Sequence, residues 1–369
     1  MKLVLVITAI FSAFYALSSS AANEWDIKTA YRLAVASDCA YSAENGKSKV
    51  RDCFNLHINN APKGSDVLDV FKELPDNAIE TFRTGGVFSD EDINAAILVK
   101  IPGGAIVAFR GTKASPQDWL HNIFLTSIEN VSQGTLFDGG RHYGFNQSLD
   151  SLKKEIIKDK NIWLPFENQS GESLYITGHS KGGALATGAT VDFAEQFPGK
   201  KIETYIFEAA RFFTAKGAND KHNKPLLDKI WRFEYQYDLV PHVPLGKVTY
   251  DFLLEHERPL AYLAEKFKLP EDSIKSWAKK VEDNNINFVS VGKLAYVDGS
   301  DQLAFFPTVQ PDQIDLKYYR TRFIKSLGMT AMEMGNMGHF VKEQHSDCYL
   351  GYLKAKATNR SITELSKNC

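Results

Sequence analysis

Few stretches of this chain constrain the local backbone as firmly as Gly178-His179-Ser180-Lys181-Gly182. The apolar run Leu174-Tyr175-Ile176-Thr177 precedes it, and a stretch rich in Ala and Gly follows from Gly183. A β-strand, a sharp turn and an α-helix fit that order. In such a corner the central serine is strained and its hydroxyl turned outward, while the flanking glycines remove Cβ atoms that would collide. At ordinary residue frequencies the pattern G-x-S-x-G arises by chance about one time in ten in a chain this long. Its meaning therefore depends on what the rest of the sequence places around it.

Other apolar runs set the fold class. Segments 97–101 and 105–109 read as strands joined by Pro102-Gly103-Gly104, a hairpin signal. Segments 174–177, 204–207 and 230–235 read as further short strands. Helical spacing appears at 26–41, where Ala30, Leu33, Ala34 and Ala36 form a partial apolar face, at 145–157, and at 183–197 ahead of Pro198-Gly199. Strands alternating with helices predict an α/β layered fold. The 369 residues, 44% hydrophobic, suffice for a large core in one large or two ordinary domains. Without a clear linker, one domain over 23–369 is expected, elaborated at about 246–338. That region has a helix start at Pro270-Glu271-Asp272 and a strand at 288–297.

Lys2, the apolar run 3–11 and the small residues Ser18 to Ala22 read as a secretory signal peptide over 1–22. A secreted protein, extracellular or periplasmic, is the expectation. Oxidising compartments favour disulfides, so the four cysteines are expected to pair locally, Cys39 with Cys53 and Cys348 with Cys369. No cysteine has metal-ligand spacing. A net charge of −2 gives no nucleic-acid footprint.

An outward-facing serine becomes a nucleophile when a base takes its proton, a carboxylate orients the base, and N–H donors receive the developing oxyanion. On an α/β sheet the order is Ser, then Asp or Glu, then His. Asp238 follows the strand at 230–235 and precedes Leu239-Val240-Pro241, on a loop over the edge where open α/β sheets build their sites. His345 and His339 both lie late enough to be the base. His345 is preferred because it sits near the start of a terminal helix and beside Cys348. The N–H of Lys181 supplies one oxyanion donor. Thr112, after the strand at 105–109, could supply a second through its N–H and hydroxyl.

Phe109-Arg110-Gly111-Thr112, Gly144-Phe145, the segment from Gly178 to Ala186, and Asp238-Leu239-Val240-Pro241-His242-Val243-Pro244 resemble, in this order, the class 3 (fungal-type) lipases. The resemblance runs from about Ala30 to Tyr352. It implies an α/β-hydrolase fold, with a mostly parallel central sheet flanked by helices, and hydrolysis of acyl esters of glycerolipids. It carries over Ser180, Asp238 and His345 as the triad, with Thr112 and Lys181 as the oxyanion donors. It also implies a lid after Thr112, with Trp119, Leu120, Ile123 and Phe124 as its apolar face, and a lipid or ester substrate met at a lipid–water interface, with peripheral membrane contact. No cofactor and no metal are implied.

Alternatives on the same scaffold are a phospholipase A1 or a soluble-ester esterase; a non-catalytic lipid-binding protein is the alternative from another class. Two positions depart from the family. Lys181 replaces the usual Leu after the nucleophile, and Glu208-Ala209-Ala210-Arg211 replaces Gly-x-Pro-Arg after the next strand. A cation in a helix's first turn opposes the dipole. A salt bridge between Lys181 and Glu208, beside the nucleophile, is the expected compensation.

Overall fold

The structure is a computed structural model describing residues 25–85, 93–112, 137–138, 140–158, 163, 171–236, 238, 240–244, 246, 251, 272, 275, 279, 287–297, 302–306 and 348–361. The strands are β1 Ile79–Thr84, β2 Asn94–Ile101, β3 Gly104–Phe109, β4 Phe137–Asp138, β5 Arg141–His142 and β6 Ser173–His179. They continue as β7 Lys201–Phe207, β8 Phe213–Thr214, β9 Trp231–Tyr235, β10 Phe288–Val289, β11 Lys293–Val297 and β12 Leu303–Phe306. The longer helices are α1 Ile27–Cys39, α2 Lys47–Asn59, α3 Tyr143–Lys158, α4 Lys181–Gln196 and α5 Cys348–Ala357.

Eight strands form one sheet in the order β1-β2-β3-β6-β7-β9-β11-β12. The five from β3 to β11 run parallel; β2 and β12 lie antiparallel at their flanks, and β1 pairs antiparallel with β2 at the outer edge. This is a mostly parallel central sheet flanked by helices, the α/β layering that the alternating strands and helices predict. Side chains alternate between two apolar layers. Ala96, Leu98, Val107, Ile176 and Ile206 pack with α3 and α4, while Ile97, Val99, Ala108, Phe207 and Phe233 pack with α1, α2 and α5. Burial on both faces explains why these strands read as continuous apolar runs rather than alternating ones.

The hairpin forms where its signal lies: Ile101 pairs with Gly104, and Gly103 adopts φ 81°. The first helix starts as expected, with the Asp26 carboxylate accepting the Lys28 N–H at 3.0 Å as an N-cap. It ends at Cys39, and Ala40–Asn45 tighten into a 3₁₀ turn. The 288–297 segment is two strands rather than one. Gly292 turns at φ 86°, sending β10 into a four-stranded antiparallel sheet with β8, β5 and β4, and β11 into the main sheet beside β9.

Cys39 and Cys53 are bonded, stapling α1 to α2. Cys348 is also disulfide-bonded, and its partner lies outside the described residues. Residues 1–22 and most of 246–338 fall outside the described residues too, but within the latter β11 and β12 complete the main sheet. Asp272, Lys275 and Lys279, in the segment with the expected helix start, are helical. No helix among the described residues is long and apolar enough to cross a membrane.

Candidate active site

The corner between β6 and α4 is the strand–turn–helix geometry that the pentapeptide requires. Ser180 sits at φ 60°, ψ −127°, in the left-handed region that L-residues rarely occupy. Holding a non-glycine residue there costs about 1–3 kcal/mol. The surroundings over-determine it. The Ser180 N–H donates to the Phe207 carbonyl at 3.0 Å, and the Ser180 carbonyl accepts from Gly183 at 3.0 Å and Ala184 at 3.3 Å as α4 begins. Both glycines of the motif are forced by close backbone contact. A Cβ on Gly178 would lie 2.1 Å from the Gly182 oxygen, and one on Gly182 would lie 2.1 Å from the Phe109 oxygen. The second contact seats the first turn of α4 against the end of β3, where the Thr112 loop starts.

The described candidates share one edge of the sheet. Thr112 follows β3, Ser180 follows β6 and Asp238 follows β9, all at the C-terminal ends of parallel strands. β3 is the immediate neighbour of β6, so Thr112 lies beside the nucleophile's strand. β9 is two strands from β6. At about 4.8 Å per strand that is roughly 10 Å, a gap that an imidazole hydrogen-bonded on both sides can span.

Asp238 is buried. Its N–H donates to the Tyr235 carbonyl at 3.3 Å, and its Oδ1 accepts the Val240 N–H at 3.0 Å, leaving carboxylate capacity for a second donor. The Thr112 Oγ1 is enclosed and has no hydrogen-bond partner among the described residues. An orphaned buried hydroxyl is costly unless a ligand atom completes it.

Three residues to which the sequence reading gave no role prove central to this edge. Burial, followed by the nearby Asp38 carboxylate, raises the Tyr41 phenol above its ordinary pKa, so it stays protonated. Its Oη accepts the Gly111 N–H and shares a hydrogen bond with His179 Nδ1 at 2.9 Å, joining the loop of Thr112 to the residue before the nucleophile. A Cβ on Gly111 would lie 2.0 Å from that oxygen, so glycine is required there. His179 stacks on Tyr349 of α5 with ring centroids 5.0 Å apart. Tyr41 lies 138 residues from His179, so no local pattern could have paired them.

Arg211 is the third. Its Nε donates to the Pro241 carbonyl at 3.2 Å and Ser290 Oγ at 3.3 Å, and its Nη1 donates to the Pro244 carbonyl at 3.3 Å. Its own N–H donates to the Val243 carbonyl at 2.7 Å. One guanidinium thus clamps the loop that follows Asp238. An arginine four residues past a strand, in a small-residue loop, was the available signal.

Lys181 and Glu208 are both buried, but the salt bridge expected between them does not form among the described residues, because Glu208 turns its Oε1 to the backbone N–H of Tyr235 instead. Lys181 opens α4, and Glu208 follows β7 at φ 46°, a second strained position and the one where the family pattern carries glycine. The Glu208 N–H donates to the Phe233 carbonyl at 3.0 Å, and Glu208 Oε1 accepts the Tyr235 N–H. His142, buried between Phe145 and Phe288, accepts the Phe145 N–H at Nδ1, and desolvation lowers its pKa to about 3.

His345, His339 and the lid candidates Trp119, Leu120, Ile123 and Phe124 lie outside the described residues. Among the described residues, Cys39, Cys53 and His57 come together with metal-ligand atoms, but the two sulfurs are bonded to each other and offer no thiolate. Cavities of about 410 Å³ beside Lys201 and about 670 Å³ beside Gly103 open at the opposite, N-terminal ends of β7 and β3, away from Ser180.

Residues 106–248 match the family model described as lipase (class 3), from within β3 to just past the loop of Asp238. No curated protein matches the chain. Among solved structures it is similar to lipase II from Rhizopus niveus, at 15% identity and TM-score 0.43, over 76% of this chain and 84% of that one. It is also similar to the triacylglyceride lipase of Rhizomucor miehei, at 15% identity and TM-score 0.41, over 75% and 82%.

Proposed function

We propose that this chain, which matches the class 3 lipase family over residues 106–248, is a serine ester hydrolase of the triacylglycerol lipase type. The observation that carries the reading is Ser180 at positive φ on the β6–α4 corner, with the Thr112 and Asp238 loops on the same sheet edge.

In this mechanism Ser180 Oγ attacks the ester carbonyl while His345 takes its proton. Asp238 holds the His345 ring in the required tautomer and stabilises the imidazolium that forms. The Lys181 N–H, in the first turn of α4, and the Thr112 N–H and hydroxyl receive the oxyanion. The unpartnered Thr112 Oγ1 supports that role, since a transition-state oxygen is the partner it lacks. His345 then gives its proton to the departing alcohol. Water enters by the same steps in reverse and frees the acyl-enzyme as a carboxylic acid. These residues suffice without a metal or organic cofactor.

The substrate is a glycerolipid acyl ester met at a lipid–water interface, with Trp119, Leu120, Ile123 and Phe124 forming the apolar face of a lid. The protein is secreted, with residues 1–22 as its signal peptide, and residues 23–369 act as one domain.

The test is hydrolysis of an emulsified triglyceride, a phospholipid and a soluble short-chain ester, with Ser180→Ala as control. Triglyceride turnover that rises sharply above the substrate's solubility limit and vanishes in Ser180→Ala is expected. Full activity in that variant would refute the mechanism, and a preference for phospholipid would move the substrate to a phospholipase A1.

A further inference from the structure

Far from Ser180 the chain builds a pocket that has no part in the mechanism above. Its volume is about 410 Å³, and it lies where the end of α4, the start of β7 and the segment ahead of β9 meet. β7 runs from Lys201 to Phe207, and Phe207 is the register partner of His179. At about 3.3 Å per residue, the pocket is roughly 20 Å from the nucleophile corner, at the opposite edge of the sheet. Its size suits one small ligand, for which sites of about 300–1,000 Å³ are usual.

The lining divides by chemistry. Phe197 and Ile230 are buried and Ile202 and Leu226 half-buried, and together they make an apolar wall. Thr190 and Thr204 lie beside it as a bonded pair. Thr190 Oγ1 donates to the Ala186 carbonyl at 2.8 Å, so the bond of 2.8 Å between the two hydroxyls uses the Thr204 proton. With both protons committed, these hydroxyls offer an anion no donor. The donors stand at the rim, as Lys200, Lys201 and Lys229, and no carboxylate among the described residues lines the pocket. Lys201 pairs with Glu203 at 2.7 Å. Lys229 has no ion-pair partner among the described residues, its neighbour Asp228 being held by Lys224 at 2.6 Å.

A cationic rim over an apolar wall is complementary to an anion that carries a hydrocarbon tail. We propose that this pocket binds a free medium- or long-chain carboxylate, its chain on Phe197, Ile202 and Leu226 and its head on the lysine rim. The long lysine stems suit such a ligand, since they extend the apolar surface and keep their ammonium groups at the water boundary. The occupant is a single amphiphile and not a membrane. A bilayer seated here would lie at the sheet edge opposite Ser180, away from the site that must meet the lipid. Resting on the proposed function, an acid of this class is the product released at Ser180, and the pocket holds it away from the place where it forms.

The experiment titrates octanoate, decanoate and dodecanoate into the full chain by calorimetry, each below its micelle-forming concentration. A photoreactive decanoate analogue then locates the site by peptide mass spectrometry. Adducts are expected within 190–204 and 224–230. Affinity should rise about threefold to fourfold per added methylene. Decanol, which has the tail without the charge, should bind at least about tenfold more weakly than decanoate, and that difference should shrink at high salt. Lys200→Glu with Lys229→Glu should weaken decanoate by about tenfold or more. Ala194→Phe, which fills the wall and keeps every lysine, should weaken it independently, so the outcome does not hang on one variant. Adducts confined to other segments, or decanol bound as tightly as decanoate, would overturn the site. Vesicles of phosphatidylglycerol that displace decanoate from the parent, and bind less to the lysine variant, would replace the single amphiphile with a membrane and overturn it too. The readout is binding and not turnover, so a parent that hydrolyses no ester would refute the proposed function while these measurements still decide the pocket.

Discussion

Replacing Thr112 with valine should move activity and stability in opposite directions. The two side chains have nearly the same shape, so the exchange removes one hydroxyl and little else. Among the described residues of the free protein that hydroxyl is enclosed and has no hydrogen-bond partner. A buried polar group left in that state costs about 1–3 kcal/mol, so its removal should leave stability unchanged or raise it by up to that amount. During catalysis the same hydroxyl would face the oxyanion, and loss of one such donor costs about 10²–10³ in kcat, or roughly 3–4 kcal/mol. Urea unfolding and steady-state hydrolysis of a short-chain chromogenic ester measure the two effects on one preparation. Thr112→Ser, which keeps the oxygen, should retain most of the turnover. A Thr112→Val variant that is less stable and keeps kcat within twofold would show that the hydroxyl serves the fold and not the reaction.

Further outcomes follow from the same geometry. His142 is held neutral by burial, so the unfolded chain binds a proton between the ordinary histidine range and about pH 3 that the native chain refuses. Stability from this group is therefore complete above about pH 6.5 and falls as pH drops toward 3, by at most about 1.4 kcal/mol per pH unit. His142→Asn should flatten that acid-side slope in urea melts run from pH 7 to 4. Arg211→Met should slow kcat through the Asp238 loop while KM stays nearly constant; an unchanged kcat in a folded variant would remove its clamping role. Replacing both Cys39 and Cys53 with alanine should cost about 3 kcal/mol, the chain-entropy value for a loop of this length, read as a lower urea midpoint.

The parts of the site legible in the sequence were those set by local geometry. Gly178, Ser180 and Gly182 could be read because a strand–turn–helix corner has room for few side chains, and the Pro102-Gly103 hairpin because its glycine takes positive φ. Asp238 could be placed because a strand announced itself through Trp231 to Tyr235 and a loop followed.

What escaped was built from distant pairs or from segments too short to show a period. β4, β5, β8 and β10 have two residues each, so no alternation could mark them, and Gly292 split a run that looked like one strand. The contact of Tyr41 with Gly111 and His179 forms only when α1 packs beneath the sheet. The clamp by Arg211 appears only when the loops after β7 and β9 meet. The strained backbone at Glu208 was likewise invisible, because a glutamate at positive φ runs against its own propensity.

The central claim is that Ser180 is a nucleophile activated by His345 and Asp238. The most direct measurement is to expose the full chain to a fluorophosphonate ester and locate the adduct by peptide mass spectrometry, in the parent and in Ser180→Ala, His345→Ala and Asp238→Asn. One adduct per chain on Ser180 is predicted, absent in Ser180→Ala and formed orders of magnitude more slowly in the other two. Labelling at another residue, or labelling of Ser180 at the parent rate without His345, would contradict it.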